Sequence, residues 1–169
     1  MTPTLLETLM YEVGQLFLYP TLALIGFLFV YAFWALGDFA MQAWLRARHP
    51  IGSGRGYALV AWARRHEEAD ADALDVAAHR LLERPRIATR VAPMLGLVAT
   101  MIPMGPALRS LSGGDLANVG ENLTIAFSAV ILALISASIT FWVVNVRRRW
   151  LAEELVWLGR ARPQRSAGA

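Results

Sequence analysis

No charged residue interrupts three stretches of this chain: 13–37, 91–108 and 122–146. The first contains "LFLYPTLALIGFLFVYAFWAL" and the third "NLTIAFSAVILALISASITFWVV". Each of these two is long enough to cross about 30 Å of hydrocarbon as a helix. The second, "VAPMLGLVATMIPMGPAL", is shorter and carries Pro93, Pro103 and Pro106. A soluble fold has no use for three such runs, so the chain is expected to be an all-α membrane protein with three transmembrane helices. Composition agrees: 56% of the residues are apolar and 17% charged, against about a quarter charged in soluble domains.

Arginine sets the expected orientation, because cytoplasmic loops retain positive charge. Residues 1–15 contain no arginine, 46–90 contain nine, 109–121 one, and the tail after Val146 six. The N-terminus is therefore expected outside and the C-terminus in the cytoplasm. The basic segments then serve topology and anionic lipid, and no nucleic acid is expected as a partner. The first run is not read as a signal peptide, since no basic residue precedes it and no small-residue cleavage site closes it.

The expected organisation is an outer-surface amphipathic helix over 1–12, with Leu5, Leu6, Leu9 and Met10 on one side, and a first span over 13–37. A cytoplasmic helical segment over 38–90 and a second span over 91–108 follow. An outer loop occupies 109–121, a third span 122–146, and a cytoplasmic helix and tail 147–169. "HPIGSGRG" reads as a turn and linker. Its glycines lack the lysine and the preceding strand of a phosphate loop. "EADADALDVAAHRLLER" reads as a helix with Leu74, Ala77, Ala78, Leu81 and Leu82 as its apolar stripe, and Pro85 as a break after it. Asp115 is a candidate cap for a short turn, and Asn118 with Glu121 a candidate capping box for the third span. "PQRSAGA" is expected to be disordered.

The chemistry within the spans is sparse. There is no cysteine in the chain and no Asp, Glu, His or Arg in any of the three runs. A metal site, a cofactor site or a general acid–base pair needs such groups, so none is expected, and the chain is not expected to be an enzyme. The polar groups are hydroxyls and one amide: Thr100, Ser128, Ser136, Ser138, Thr140 and Asn145. For Ser138 and Thr140, a bond back to their own helix is the expected use. Thr100 is read differently, because it sits among prolines and on a small face made by Gly96, Thr100, Pro103 and Ala107. The third span carries a matching small face: Ala126, Ala129, Ala133, Ala137 and Thr140. Such faces let helices approach closely in lipid. The prolines add a constraint, since each frees a carbonyl four residues back. For Pro103 that is the carbonyl of Ala99, and for Pro106 that of Ile102. A freed carbonyl inside a bilayer must meet protein or water.

"APMLGLVATMIPMGPAL" followed by "AFSAVILAL" resembles the MotA/TolQ/ExbB proton-channel family, nearest to a short variant whose second span reads much like "GPMLGLMGTLIPMGPAL". The resemblance covers about residues 85–150. It implies a homopentamer in the inner membrane around a pore that holds the helices of a partner dimer, each with one essential aspartate. Proton flux would rotate the ring about the partner and drive work at a distance. By motif match Thr100 is the second-span threonine implied to face that aspartate, which makes Thr100 and Ser128 the candidate ion pathway. Gly96, Pro103, Ala107, Ala126, Ala129, Ala133, Ala137 and Thr140 are then pore-facing or helix-packing. The third span departs from the family. One to three threonines usually precede a "GL" pair there; this chain has Ser128, Ala129 and Val130, with Ala133–Leu134 for the pair. Val130 stands at the most typical threonine position, and Ala92 replaces a glycine of the variant. The readings left standing are a conducting motor subunit, a non-conducting membrane scaffold of the same architecture, and a small transport or export component.

Overall fold

A computed structural model describes residues 5–66 and 69–166. Its elements are α1 (Leu5–Arg48), a 3-10 turn (Ile51–Ser53), α2 (Ala58–Arg65), α3 (Ala71–Ser112) and α4 (Leu116–Ser166). No strand occurs among the described residues. Three helices are long and apolar enough to cross a membrane. They have 44, 42 and 51 residues, so each extends well past the roughly 20 residues that a bilayer requires.

The chain divides into two compact units. The first groups Met1–Phe33 with Ala88–Ser138. Its buried positions recur at steps of three and four, the period of one helix face. They are Thr21, Ile25, Leu28 and Ala32 in α1; Ala88, Ala92, Gly96, Ala99, Pro103 and Ala107 in α3; and Ala126, Ala129, Ala133 and Ser136 in α4. Most are small. The bulky side chains Phe27, Val30, Met94, Met101, Phe127 and Ile131 point outward. This inverts the pattern of a soluble bundle. In lipid, burying apolar surface gains little, so small residues that allow backbone approach take the interior. Gly96 shows how close that approach is, since a Cβ added there would lie 3.0 Å from the Ala133 Cβ.

The second unit groups Trp34–Ile87 with Ile139–Ala169. Its core is conventional: Leu59, Val60, Leu74, Ala77, Ala78, Leu151 and Leu158, with Trp62, Leu82 and Trp157 packed around them. Phe39 stacks on Trp150 and meets Trp142 edge-on, both at 4.9 Å between centroids. The linker before α2 turns on Gly54 and Gly56, with φ of 76° and 80°. At Gly56 a Cβ would come within 2.9 Å of the Leu45 Cβ, so only glycine fits.

Several boundaries differ from those expected. No break separates residues 5–12 from the first span, because α1 runs unbroken from Leu5. The Leu6 side chain lies outside the described residues, while Leu5, Leu9 and Met10 are exposed. Pro85 does not end a helix; it is buried within continuous α3. Packing on both sides of it, at Ala78 and Ala88, outweighs the roughly 3 kcal/mol cost of an interior proline. The expected outer loop 109–121 shrinks to a turn at Gly113–Asp115, where Gly114 has φ of 78°. Asp115 caps the long helix α4, not a short turn: its Oδ1 accepts from the Asn118 N–H at 3.2 Å. Asn118 and Glu121 therefore lie inside the helix, and no capping box forms between them. At the other end α4 continues through Ser166, into the stretch expected to be disordered; residues 167–169 lie outside the described residues. In the apolar stripe of α3, Leu81 is exposed where the other four are not. Helix α2 lies within the segment 38–90 expected to be helical, as a separate short helix after the linker.

Candidate functional site

In the first unit, α3 passes through its three prolines without interruption. Pro103 is fully buried against the chain's own helices. The carbonyl freed by Pro106, that of Ile102, receives a bond from the Gln15 side-chain amide at 3.4 Å. Four residues earlier on α1, Tyr11 lies under the Arg109 guanidinium, 4.2 Å from ring centroid to cation. A Cβ at Gly105 would sit 3.6 Å from the Tyr11 ring. The C-terminal end of the proline segment is thus held by α1 through an amide and an aromatic ring.

Thr100 lies at the edge of the buried stripe, half-buried, one residue after fully buried Ala99. Its hydroxyl donates to the Leu97 carbonyl at 2.7 Å. The distinction drawn from sequence between Thr100 and Ser138 therefore does not hold, because Ser138 does the same toward Leu134 at 2.8 Å. In a helix without water nearby, the carbonyl one turn back is the nearest acceptor for any short hydroxyl side chain. Ser136 and Ser128 follow suit, toward Leu132 and Thr124. Each of these hydroxyl oxygens, that of Thr100 included, keeps lone pairs that can accept from a proton donor.

The structure does not pair Thr100 with Ser128. Ala99 and Ala129 meet in one buried cluster with Ile25 and Ala133, and the two hydroxyl residues flank that contact. The α4 residues facing α3 beside Gly96 are Val130 and Ala133. At about 100° per residue, Ser128 lies roughly 200° around α4 from Val130, and it is exposed. Gly96, Pro103, Ala107, Ala126, Ala129 and Ala133 are all buried in the helix packing of this unit, and Ala137 is partly so. Thr140, buried, belongs to the second unit.

The most polar cluster lies in the second unit, and sequence reasoning missed it. Glu154 is fully buried. One carboxylate oxygen pairs with Arg46; the other accepts from the backbone N–H groups of Leu59 and Val60, at 2.8 and 3.1 Å. Those are free donors of the first turn of α2, whose N-cap Tyr57 makes no side-chain cap bond. Glu154 thus caps α2 from another helix, with the helix dipole favouring its charge. Arg46 also donates to the Gly56 carbonyl at 2.8 Å and lies over the rings of Tyr57 and Trp150. Burial holds its guanidinium below its ordinary pKa. Nearby, Asp38 pairs with Arg147 and accepts from Gln42 at 3.1 Å. A cavity of about 150 Å³ is lined by Asp38, Gln42, Arg46, Arg147 and Trp150. The available signal was a glutamate on an apolar stripe, since Leu151, Glu154 and Leu158 share one face of "WLAEELVWL".

Among the described residues no group of three His, Asp or Glu side chains could hold a metal ion. Residues 59–157, more than half of the chain, match the MotA/TolQ/ExbB proton channel family. No curated protein and no solved structure gives a match.

Proposed function

The chain belongs to the MotA/TolQ/ExbB proton channel family, and on that premise we propose that it is the ring-forming, ion-conducting subunit of a motor complex driven by an ion-motive force. The observation that carries this is the family match itself, which takes in both the proline-bearing second run and the third. Membership and the three apolar helices make it a multi-pass membrane protein of a transport-type family, which is not an enzyme family. The finer reading is a homopentamer in the inner membrane, enclosing a dimer of a single-span partner. That partner supplies the intramembrane aspartate, which the three apolar runs of this chain lack.

In this reading Thr100 lines the ion path. With its hydrogen engaged by Leu97, the hydroxyl accepts a proton donor first and passes a proton on only after leaving that carbonyl. Ser128, on the exposed side of α4, contributes from a different direction. The test is Thr100→Val, which keeps the shape and removes the hydroxyl. Reconstituted with the partner, the variant should assemble normally and lose ion flux under a potential; unaltered flux would remove Thr100 from the path. A monomer or dimer of the wild type in mild detergent would overturn the ring.

One observation favours a second reading, a non-conducting scaffold of the same architecture. Val130 occupies the position where the family most typically has a threonine, and it packs against Gly96 beside Thr100. Intact wild-type complexes that take up no protons under a potential would decide for the scaffold.

A further inference from the structure

Pro106 lacks the backbone N–H that would bond the Ile102 carbonyl in an unbroken helix. That carbonyl lies in a segment expected to sit at membrane depth, where an unpaired polar group is costly. The Gln15 amide reaches it at 3.4 Å from a helix 87 residues away in sequence. Tyr11, one turn earlier on the same α1 face, packs by Gly105 and under Arg109. Two turns of α1 therefore bracket the Ile102–Arg109 segment, and Thr100 lies directly before it.

We infer that Gln15 is a positioning residue: it supplies the donor that Pro106 removed, and so fixes the proline segment that aims Thr100. The hydrogen bond stands by itself; its effect on ion flux rests on the ring reading above. The relation between the two residues is specific. Leucine at position 15 leaves the carbonyl unpaired. Alanine at 106 restores a backbone N–H to it, so the loss of Gln15 then costs nothing there. A double-mutant cycle separates this from a merely structural role.

The Ile102 carbonyl can be observed alone, because Ile102–Pro103 is the only isoleucine–proline pair in the chain. Labelling isoleucine carbonyls with 13C and proline nitrogens with 15N isolates its signal in solid-state NMR of the full chain in lipid. Gln15→Leu should shift that signal as the hydrogen bond is lost. The same change in a Pro106→Ala background should leave the signal where Pro106→Ala alone puts it. Flux through the complex with its partner should fall about fivefold in Gln15→Leu, the factor that one neutral hydrogen bond is worth. Pro106→Ala should recover it. An unmoved signal, or equal effects of Gln15→Leu in both backgrounds, would overturn the pairing. A moved signal with unchanged flux would overturn the positioning role. If the ring reading is wrong, the wild type itself carries no flux while the NMR cycle still reads out, so the two failures are distinguishable.

Discussion

The two units of this chain solve the same packing problem with opposite materials. The unit of Met1–Phe33 and Ala88–Ser138 fills most of its interior with alanine, glycine, serine and proline, Ile25 and Leu28 being the large exceptions, and turns most of its large side chains outward. The unit of Trp34–Ile87 and Ile139–Ala169 buries leucine, valine and aromatic side chains, and includes a fully buried glutamate paired with arginine. The first unit has the pattern that suits hydrocarbon and the second the pattern that suits water. In hydrocarbon a leucine gains nothing by moving inward, so close backbone approach is what stabilises contact. In water, burying apolar surface gives about 25 cal/mol per Å², and a charge taken inside must bring its partners with it. Apart from Gln15, which bonds the Ile102 carbonyl across helices, the polar groups follow the same division. The hydroxyls of Thr21, Thr100, Ser128 and Ser136 in the first unit bond carbonyls of their own helix, whereas Glu154 and Arg46 join different elements.

The largest test of this contrast is Glu154→Leu. It leaves Arg46 buried without its partner and α2 without its cap, and should cost about 3–5 kcal/mol. Denaturant unfolding measures the loss, and hydrogen exchange at Leu59 and Val60 should show it first. Adding Arg46→Met should restore most of the stability, since a buried pair replaced by apolar side chains is often neutral. If the double variant is as unstable as the single one, the pair is more than a compensated charge.

A smaller effect is expected for Gly96→Val in the first unit. The added Cβ alone meets the Ala133 Cβ at 3.0 Å, and overpacking of this kind costs about 1–3 kcal/mol. Unfolding in mixed micelles reports it, and Ala133→Gly should relieve part of it. A neutral result would mean that the α3–α4 approach is looser than the small faces suggest. Smallest of all is Arg149→Gln. Its ion pair with Glu153 spans 3.9 Å between two exposed side chains, worth at most about 0.5 kcal/mol once solvent screens it. A larger change in unfolding midpoint would place that helix face in an interface.

Much of the first unit could be read from residue order. Gly96, Ala99 and Pro103, like Ala126, Ala129 and Ala133, repeat at helical spacing, and each of these positions is buried. The need of the Pro106-freed carbonyl for a partner also followed from the proline alone, and Gln15 fills it. The choice of Gln15 did not follow, because nothing local links position 15 to position 102. The neighbouring prolines do not set the hydroxyl of Thr100 apart, because the Leu97 carbonyl one turn back is within its reach. In the second unit the stripe of Leu74, Ala77 and Ala78 was legible, but Leu81 and the buried Glu154 were not.

What residue order decides here is therefore whatever depends on a window of a few turns. Charge-free length makes the three long helices, arginine distribution sets their expected orientation, and glycine and Asp115 place the turns. The tertiary structure decides which polar group answers which. Gln15 and Ile102 are 87 residues apart, Arg46 and Glu154 are 108 apart, and Leu59 and Glu154 are 95 apart. Helix formation is a local equilibrium, so composition predicts it. The pairing of a buried donor with its acceptor depends on which helices meet and at what rotation, and no local preference encodes that.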